Sequence, residues 1–321
     1  MLDLVHRRKI WYTLSLIIIV PGVLALIFWH LNLGIDFTGG SAWELQFPRT
    51  DIQSLDVRQI LVAQGQVDPQ VQIATGATPN TQTVLIHLKQ LEEGSATKTQ
   101  LSNALKARYG DYTELSLDSV GPTVGASVSR NSILSVVAAS VGILLYLAWA
   151  FRKVKRPFLY GSCAIVAMLH DVLVVLGIFA ILGKVVGAEI DSLFVTAVLT
   201  VIGFSVHDTI VVFDRIRENQ IRRPAMPFDD VVNYSLNQTI VRSINTSLTV
   251  IFTLLALVLF GGATIREFVL ALLLGVVSGT YSSIFNASQL LVSWERGEIQ
   301  RLAFWRRGRG TPRAAASGAG D

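Results

Sequence analysis

The chain has 321 residues, of which 51% are hydrophobic and only 16% charged, against about 25% charged in an ordinary soluble domain. That deficit, with several long apolar runs, excludes a purely soluble protein. The formal net charge of +4 is too mild to argue for a nucleic-acid partner, and one cysteine, Cys163, excludes an internal disulfide and any cysteine-cluster metal site.

Six stretches are apolar and long enough to cross a bilayer, which takes about 20 residues each. They run Ile10 to Trp29, Ser132 to Phe151, Phe158 to Leu182, Leu193 to Phe213, Ile244 to Phe260 and Phe268 to Val292. The first follows His6-Arg7-Arg8-Lys9, is too long for a signal-peptide core and has no A-x-A-like site after it. It does not read as a cleaved leader. The chain therefore divides into a cytoplasmic N-terminus (1–9), a first span (10–30), an outer domain with linkers (31–130), five further spans (131–292) and a basic tail (293–321).

Lys and Arg set the orientation. Arg7, Arg8 and Lys9, then Arg152, Lys153, Lys155 and Arg156, then Arg215, Arg217, Arg222 and Arg223, then the tail arginines lie in alternate connections. All fall on one side, which puts both termini in the cytoplasm and the Asn32 to Ala126 segment outside. Only two tight turns, holding Lys184 and Arg266, share that outer side.

The outer segment reads as a small folded module. Ser41 to Phe47 alternates like a strand, and Asp51 to Gln64 has helical spacing in Leu55, Ile60 and Leu61. Val71 to Thr75 and Thr83 to Leu88 are strands around the turn Gly76 to Asn80. Ser95 to Tyr109 is a helix with a Ser cap, and Tyr112 to Leu117 is a last strand. The order βαββαβ is ferredoxin-like. With no cysteine, paired histidine or phosphate loop, the module suits binding or movement better than catalysis. A lid that merely folds fits the same residues.

Further on, Phe228 to Val241 opens with Asp229-Asp230 and reads as a helix on the cytoplasmic surface leading into span five. Gly275-x-x-x-Gly279 in span six allows close helix approach, with Ser278, Ser282 and Asn286 nearby. The tail after Trp305 is too poor in apolar residues to bury a core and is expected to be disordered. Its arginines suit anionic lipid headgroups more simply than ribosomal RNA.

Charged groups inside spans are costly and usually face a bundle interior or an ion path. His170-Asp171 in span three and His207-Asp208 in span four stand out. At about 1.5 Å per residue, Asp208 lies about 9 Å from the cytosolic charge at Asp214-Arg215. Asp171 lies about 21 Å from the start of span three, so the two carboxylates differ by about 12 Å in depth. A proton passes between them only through water or polar side chains. Ser205 is one turn from Asp208, and span five supplies a stripe of Arg242, Asn245, Thr246, Thr249 and Thr253. Arg242 begins that span close to the Asp208 level, so an Asp208–Arg242 pair is geometrically accessible.

Burial raises a carboxylate pKa and a nearby Arg lowers it, so a site whose Arg partner moves switches between taking and releasing a proton. A proton crossing 100 mV releases about 2.3 kcal/mol, enough for a modest domain motion. Sodium is the rival ion, because carboxylate and hydroxyl oxygens ligate it too. Plainer readings stand beside these. Arg242 also fits a snorkelling anchor, the Thr stripe helix packing, His170 an interhelical donor, and Asp171 a local hydrogen-bond hub that never titrates.

Four runs resemble the SecF family of the bacterial Sec export machinery, which is related to the proton-driven RND exporters. They are Gly34-Ile35-Asp36-Phe37-Thr38-Gly39-Gly40, Val120-Gly121-Pro122-Thr123-Val124-Gly125, His170-Asp171, and the long run from Gly203 through His207-Asp208 to Asn219. The resemblance covers nearly the whole chain. It implies six spans forming half of an RND-type 12-helix bundle, a ferredoxin-like outer domain, and a partner, SecD, that supplies the other half and a further carboxylate. It also implies that Asp208 carries protons with Arg242 in support, while His207 stands where the family often has Asn. Asp171, His170, Ser205, Asn245, Thr246 and Thr249 are candidate relay or supporting residues. The implied work is to promote translocation and release of a preprotein leaving the SecYEG channel, by proton-motive force, after the ATP-driven step of SecA. The implied place is the bacterial inner membrane, and the implied cofactor requirement is none beyond the ion gradient.

Two other readings compete. A scaffold would only stabilise the translocon, and half of an RND-type small-molecule exporter would need a larger outer domain than this one. No nucleophile–base pair or cofactor loop supports an enzyme.

Overall fold

The computed structural model describes residues 2–298, apart from 77, 90, 153–155 and 263–264. The basic tail beyond 298, with most of its arginines, lies outside the described residues, as do Lys153 and Lys155. In chain order the elements begin with α1 (Arg8–Phe28), the short α2 (Ile35–Thr38), β1 (Gly40–Phe47), α3 (Ser54–Ala63), β2 (Gln70–Thr75) and β3 (Gln82–Leu88). Then come α4 (Ala96–Tyr109), β4 (Thr113–Val120), α5 (Pro122–Ala150), α6 (Pro157–Val185), α7 (Ser192–Arg222) and α8 (Phe228–Phe260). The last span is α9 (Arg266–Ser282), a π turn (Ser283–Ala287) and α10 (Ser288–Glu295).

Six of these helical segments are long and apolar enough to cross a membrane, as the sequence predicts. Their ends follow local chemistry. Proline starts α5 and α6, where its missing N–H costs nothing. The Asp191 carboxylate accepts from the Phe194 N–H at 2.8 Å and caps α7. From α2, Asp36 accepts from the Ser192 N–H at 2.9 Å and adds a second carboxylate at the same helix start.

The expected cytoplasmic surface helix and span five are one continuous helix of 33 residues, α8. Its first turns also bury Val231, Val232 and Leu236 instead of lying only on a surface. Asn233 and Asn237 on this segment bind the backbone of Leu2 and Leu4, which docks the N-terminal stretch against it.

The sheet has the order β2-β3-β1-β4, antiparallel throughout, which is the ferredoxin-like arrangement. Trp43, Leu45 and Phe47 point from the central strand β1 into a core with Leu61 of α3 and Leu101 and Leu105 of α4. The predicted Ser cap is present, with Ser95 Oγ accepting from the Lys98 N–H at 3.1 Å. The last strand runs to Val120, beyond the predicted Leu117, because Gly40 pairs with Val120 and draws the linker into the sheet.

The two glycine-rich runs meet at the joint between sheet and bundle. A Cβ on Gly125 would lie 2.9 Å from the Gly39 nitrogen, and Gly39 itself has φ +74°. Both positions therefore need glycine, one for space and one for backbone conformation.

Within the bundle, α6, α7 and the last span are central, each burying 50% of its most apolar stretch. The others bury far less: 17% for α1, 6% for α5 and 11% for α8. The outer helices thus present broad faces to their surroundings. Helix α1 is fastened to α6 where Gly22 meets Gly177, a crossing so close that a Cβ on Gly177 would reach 2.6 Å from the Gly22 Cα.

Candidate functional site

The two intramembrane carboxylates occupy very different surroundings. Asp171 on α6 is fully buried. Its Oδ2 accepts from Ser205 Oγ of α7 at 2.6 Å and from Ser282 Oγ of α9 at 2.6 Å. Its Oδ1 accepts from Ser278 Oγ at 2.7 Å and lies 3.0 Å from His170 Nδ1. A carboxylate offers about four lone-pair sites, so this one is saturated. Three helices are pinned to a single residue. At Gly279 a Cβ would make only ordinary contact with the Ser205 backbone at 3.4 Å, whereas at Gly275 it would clash with the Val201 side chain. The predicted close approach of this motif is therefore that of α9 on α7, with Gly275 the position that requires glycine.

The π turn lies directly beneath this hub. Ser283 Oγ stands 3.0 Å from Thr209 Oγ1, and both hydroxyls donate to the Ser205 carbonyl. The wide turn leaves the Ser283 carbonyl to accept from Ser288 Oγ at 3.2 Å. Such turns recur at functional positions in helices.

Asp208 on α7 is buried with far fewer partners. Ser243 Oγ of α8 donates to Oδ1 at 3.0 Å, and Oδ2 has no hydrogen-bond partner among the described residues. The field of the Arg242 guanidinium reaches it, and His207 is its neighbour in sequence. Both side chains are exposed, and Arg242 makes no hydrogen bond or ion pair among the described residues.

The structure thus divides the predicted site residues into two sets. Asp171, His170 and Ser205 come together, with Ser205 serving Asp171 and not its own helix neighbour Asp208. Arg242, Asn245, Thr246 and Thr249 lie together on the open face of α8. There Thr249 Oγ1 donates to the Thr246 carbonyl at 2.7 Å. The polar residues of α8 that face the bundle are Ser235, Thr239, Ser243 and Ser247, which the sequence reading passed over. Their spacing of four was the available signal. On α7, Thr196, Thr200, Gly203 and His207 are exposed too. Both helices therefore expose polar residues within their apolar spans, and Asp208 is buried where α7 meets α8 at Ser243.

A six-span bundle with a buried acid behind an open polar face, carrying one ferredoxin-like module, defines half of an RND-type membrane assembly. The family model described as protein export membrane protein SecD/SecF, C-terminal, matches residues 100–297. A protein translocase subunit SecF from Thermobaculum terrenum is 58% identical over 308 residues, spanning 94% of this chain and 96% of that protein. A protein translocase subunit SecDF from Bacillus subtilis is 34% identical over 303 residues, spanning 93% of this chain and 39% of the relative. The crystal structure of SecDF from Thermus thermophilus, titled a translocon-associated membrane protein, superposes with a TM-score of 0.81 at 32% identity. It covers 92% of this chain, which spans 39% of the SecDF chain. The chain belongs to the SecF family.

Proposed function

We propose that the chain is a subunit of a protein translocase that works with SecD and couples proton flow to preprotein movement. The observation that carries this reading is the contrast between the two acids. Asp171 has its acceptor sites filled, whereas Asp208 keeps a buried oxygen with no hydrogen-bond partner among the described residues, within the field of Arg242. A carboxylate in that condition gains most from taking a proton, and Arg242 on an adjoining open face is able to stabilise the ionised form when it approaches. The polar faces of α7 and α8 are costly against lipid, so a partner that covers them gains their burial. SecD is the natural candidate, because SecDF relatives join this segment to a longer chain.

In this reading the acid sits at the seam between the two halves, where ion entry and helix movement are linked. The sheet module, seated on α5 through the glycine joint, moves with that helix. It acts on preprotein leaving SecYEG, after the step driven by SecA. The membrane is the bacterial inner membrane, both termini are cytoplasmic and the chain has no enzymatic activity of its own. Protons are the coupling ion and no other cofactor is needed.

The test is Asp208→Asn in cells, with export of a secretory preprotein, protein level and SecD association measured together. Export at the level of a null mutant, with the complex intact, supports coupling through Asp208. Normal export makes the chain a scaffold.

A further inference from the structure

A cleft of about 540 Å³ opens on the sheet side of the bundle, between the outer module and the ends of α1 and α6. Its walls include Trp29 and His30 after α1, Arg58 of α3, Asp68 and Gln70 beside β2, and Lys184 near the end of α6. None of these belongs to the acid-bearing site. The level of the cleft in the membrane follows from the helices. The apolar run of α1 lasts to Phe28 and that of α6 to Leu182, just before Gly183 and Lys184 of the wall, so the cleft begins where the hydrocarbon ends. Trp29 at this level is typical of a membrane–water interface.

We propose that this cleft holds the phosphate-bearing headgroup of an anionic phospholipid. Three observations bear on the chemistry. Arg58 is paired with Asp68 at 2.7 Å, which leaves Lys184 as a cation with no ion pair among the described residues. The lining therefore carries an uncompensated positive charge, on a side of the chain otherwise poor in Lys and Arg near the membrane. The first turn of α3 contributes Ser54 and Leu55 to the wall, and its cap residue Gln53 gives no side-chain hydrogen bond. Among the described residues the Ser54 and Leu55 N–H groups have no hydrogen-bond partner, in a first turn whose one acid is Asp56, and a helix start of this kind attracts an anion. On the membrane side of the cleft, Leu24, Ile27 and Phe28 of α1 are exposed and apolar. They offer a surface for acyl chains beside the polar chamber, which selects a lipid over a free phosphate ester. Asn32, bonded to Gly187 at 3.3 Å, and Gln72, bonded to it at 2.9 Å, tie the module to the α6–α7 loop and fix the width of the chamber.

The inference is independent of ion coupling. Its test uses the full chain in nanodiscs of phosphatidylglycerol and phosphatidylcholine. A photoreactive benzophenone side chain replaces Leu55 in one protein. In a second it replaces Leu115, an exposed residue of β4 at the opposite edge of the sheet. Mass spectrometry then reads the adducts. The expected result is a phosphatidylglycerol adduct at position 55 and none at 115, falling about fivefold in Lys184→Gln and retained in Lys184→Arg. Absence of a lipid adduct at 55, or equal yield in Lys184→Gln, overturns the proposal. So does loss of the adduct in millimolar glycerol phosphate, which would mark a soluble phosphate site. Adducts to polypeptide in place of lipid would assign the cleft to a protein partner and overturn it equally.

Discussion

At the scale of single residues, the two acids separate by what surrounds them. Asp171 receives three serine hydroxyls and faces His170, so both its oxygens are engaged by four neighbours. Hydrogen bonds to a charged group contribute about 1.5–3 kcal/mol each, though not additively. Asp171→Asn turns an amide donor toward hydroxyls that need an acceptor. We expect it to cost about 2–3 kcal/mol and to lower the thermal unfolding midpoint of the purified protein. Asp208→Asn keeps an acceptor for Ser243 and leaves no new orphan, so its stability should stay within about 0.5 kcal/mol of the parent. A fluorescence-detected melt of both variants decides the matter. Equal destabilisation would mean that Asp208 is structural as well.

At the scale of elements, the outer module offers a pH test. Glu44 lies on the sheet face away from the helices, and partial burial, with the Asp118 charge nearby, raises its pKa above the ordinary 4.5. The folded state therefore takes up this proton more readily than the unfolded chain. Stability from the group is full below about pH 4.5 and declines as pH rises through the folded value. Glu44→Gln should thus stabilise β1 and β4 at pH 7, by about 0.5 kcal/mol after solvent screening, with no gain near pH 4. Amide hydrogen exchange in those strands reads the difference. A gain that is equal at both pH values would assign the effect to packing.

The same module shows how far sequence patterns reach. Strand alternation in Ser41 to Phe47 and the serine ahead of Ala96 are local signals, and both elements appear where expected. The facing of α8 was not legible in this way. Arg242, Asn245 and Thr246 are the conspicuous polar residues, yet a helix alone does not say which of its two polar stripes looks inward. The quieter stripe of Ser243 and Ser247 is buried because α7 and α9 happen to lie on that side. Similarly, Ser205 is one turn from Asp208 along α7, but its hydroxyl belongs to Asp171 because α6 crosses there. Contacts between helices distant in sequence carry that information.

At the scale of the molecule, the open polar face distinguishes a lone bundle from an assembled one. Gly203 lies in its middle, and a Cβ there would meet nothing within 4 Å. Gly203→Leu should therefore leave the chain's own melt within about 0.5 kcal/mol of the parent while reducing its co-purification with SecD. Undiminished co-purification would place the partner on another face. The last span carries a different kind of information, one about lineage. A π turn holds one residue more than the α turn it replaces, and it returns the chain to the same helical phase on leaving. Removing a single residue between 283 and 287 would therefore close the wide turn without rotating either half. Ser278 and Ser282 would still look at α6, and Leu291 and Val292 at the core. A one-residue gap at this point in an alignment of relatives then records the loss or gain of a turn, while the same gap elsewhere in the span would record a helix rotated by about 100°.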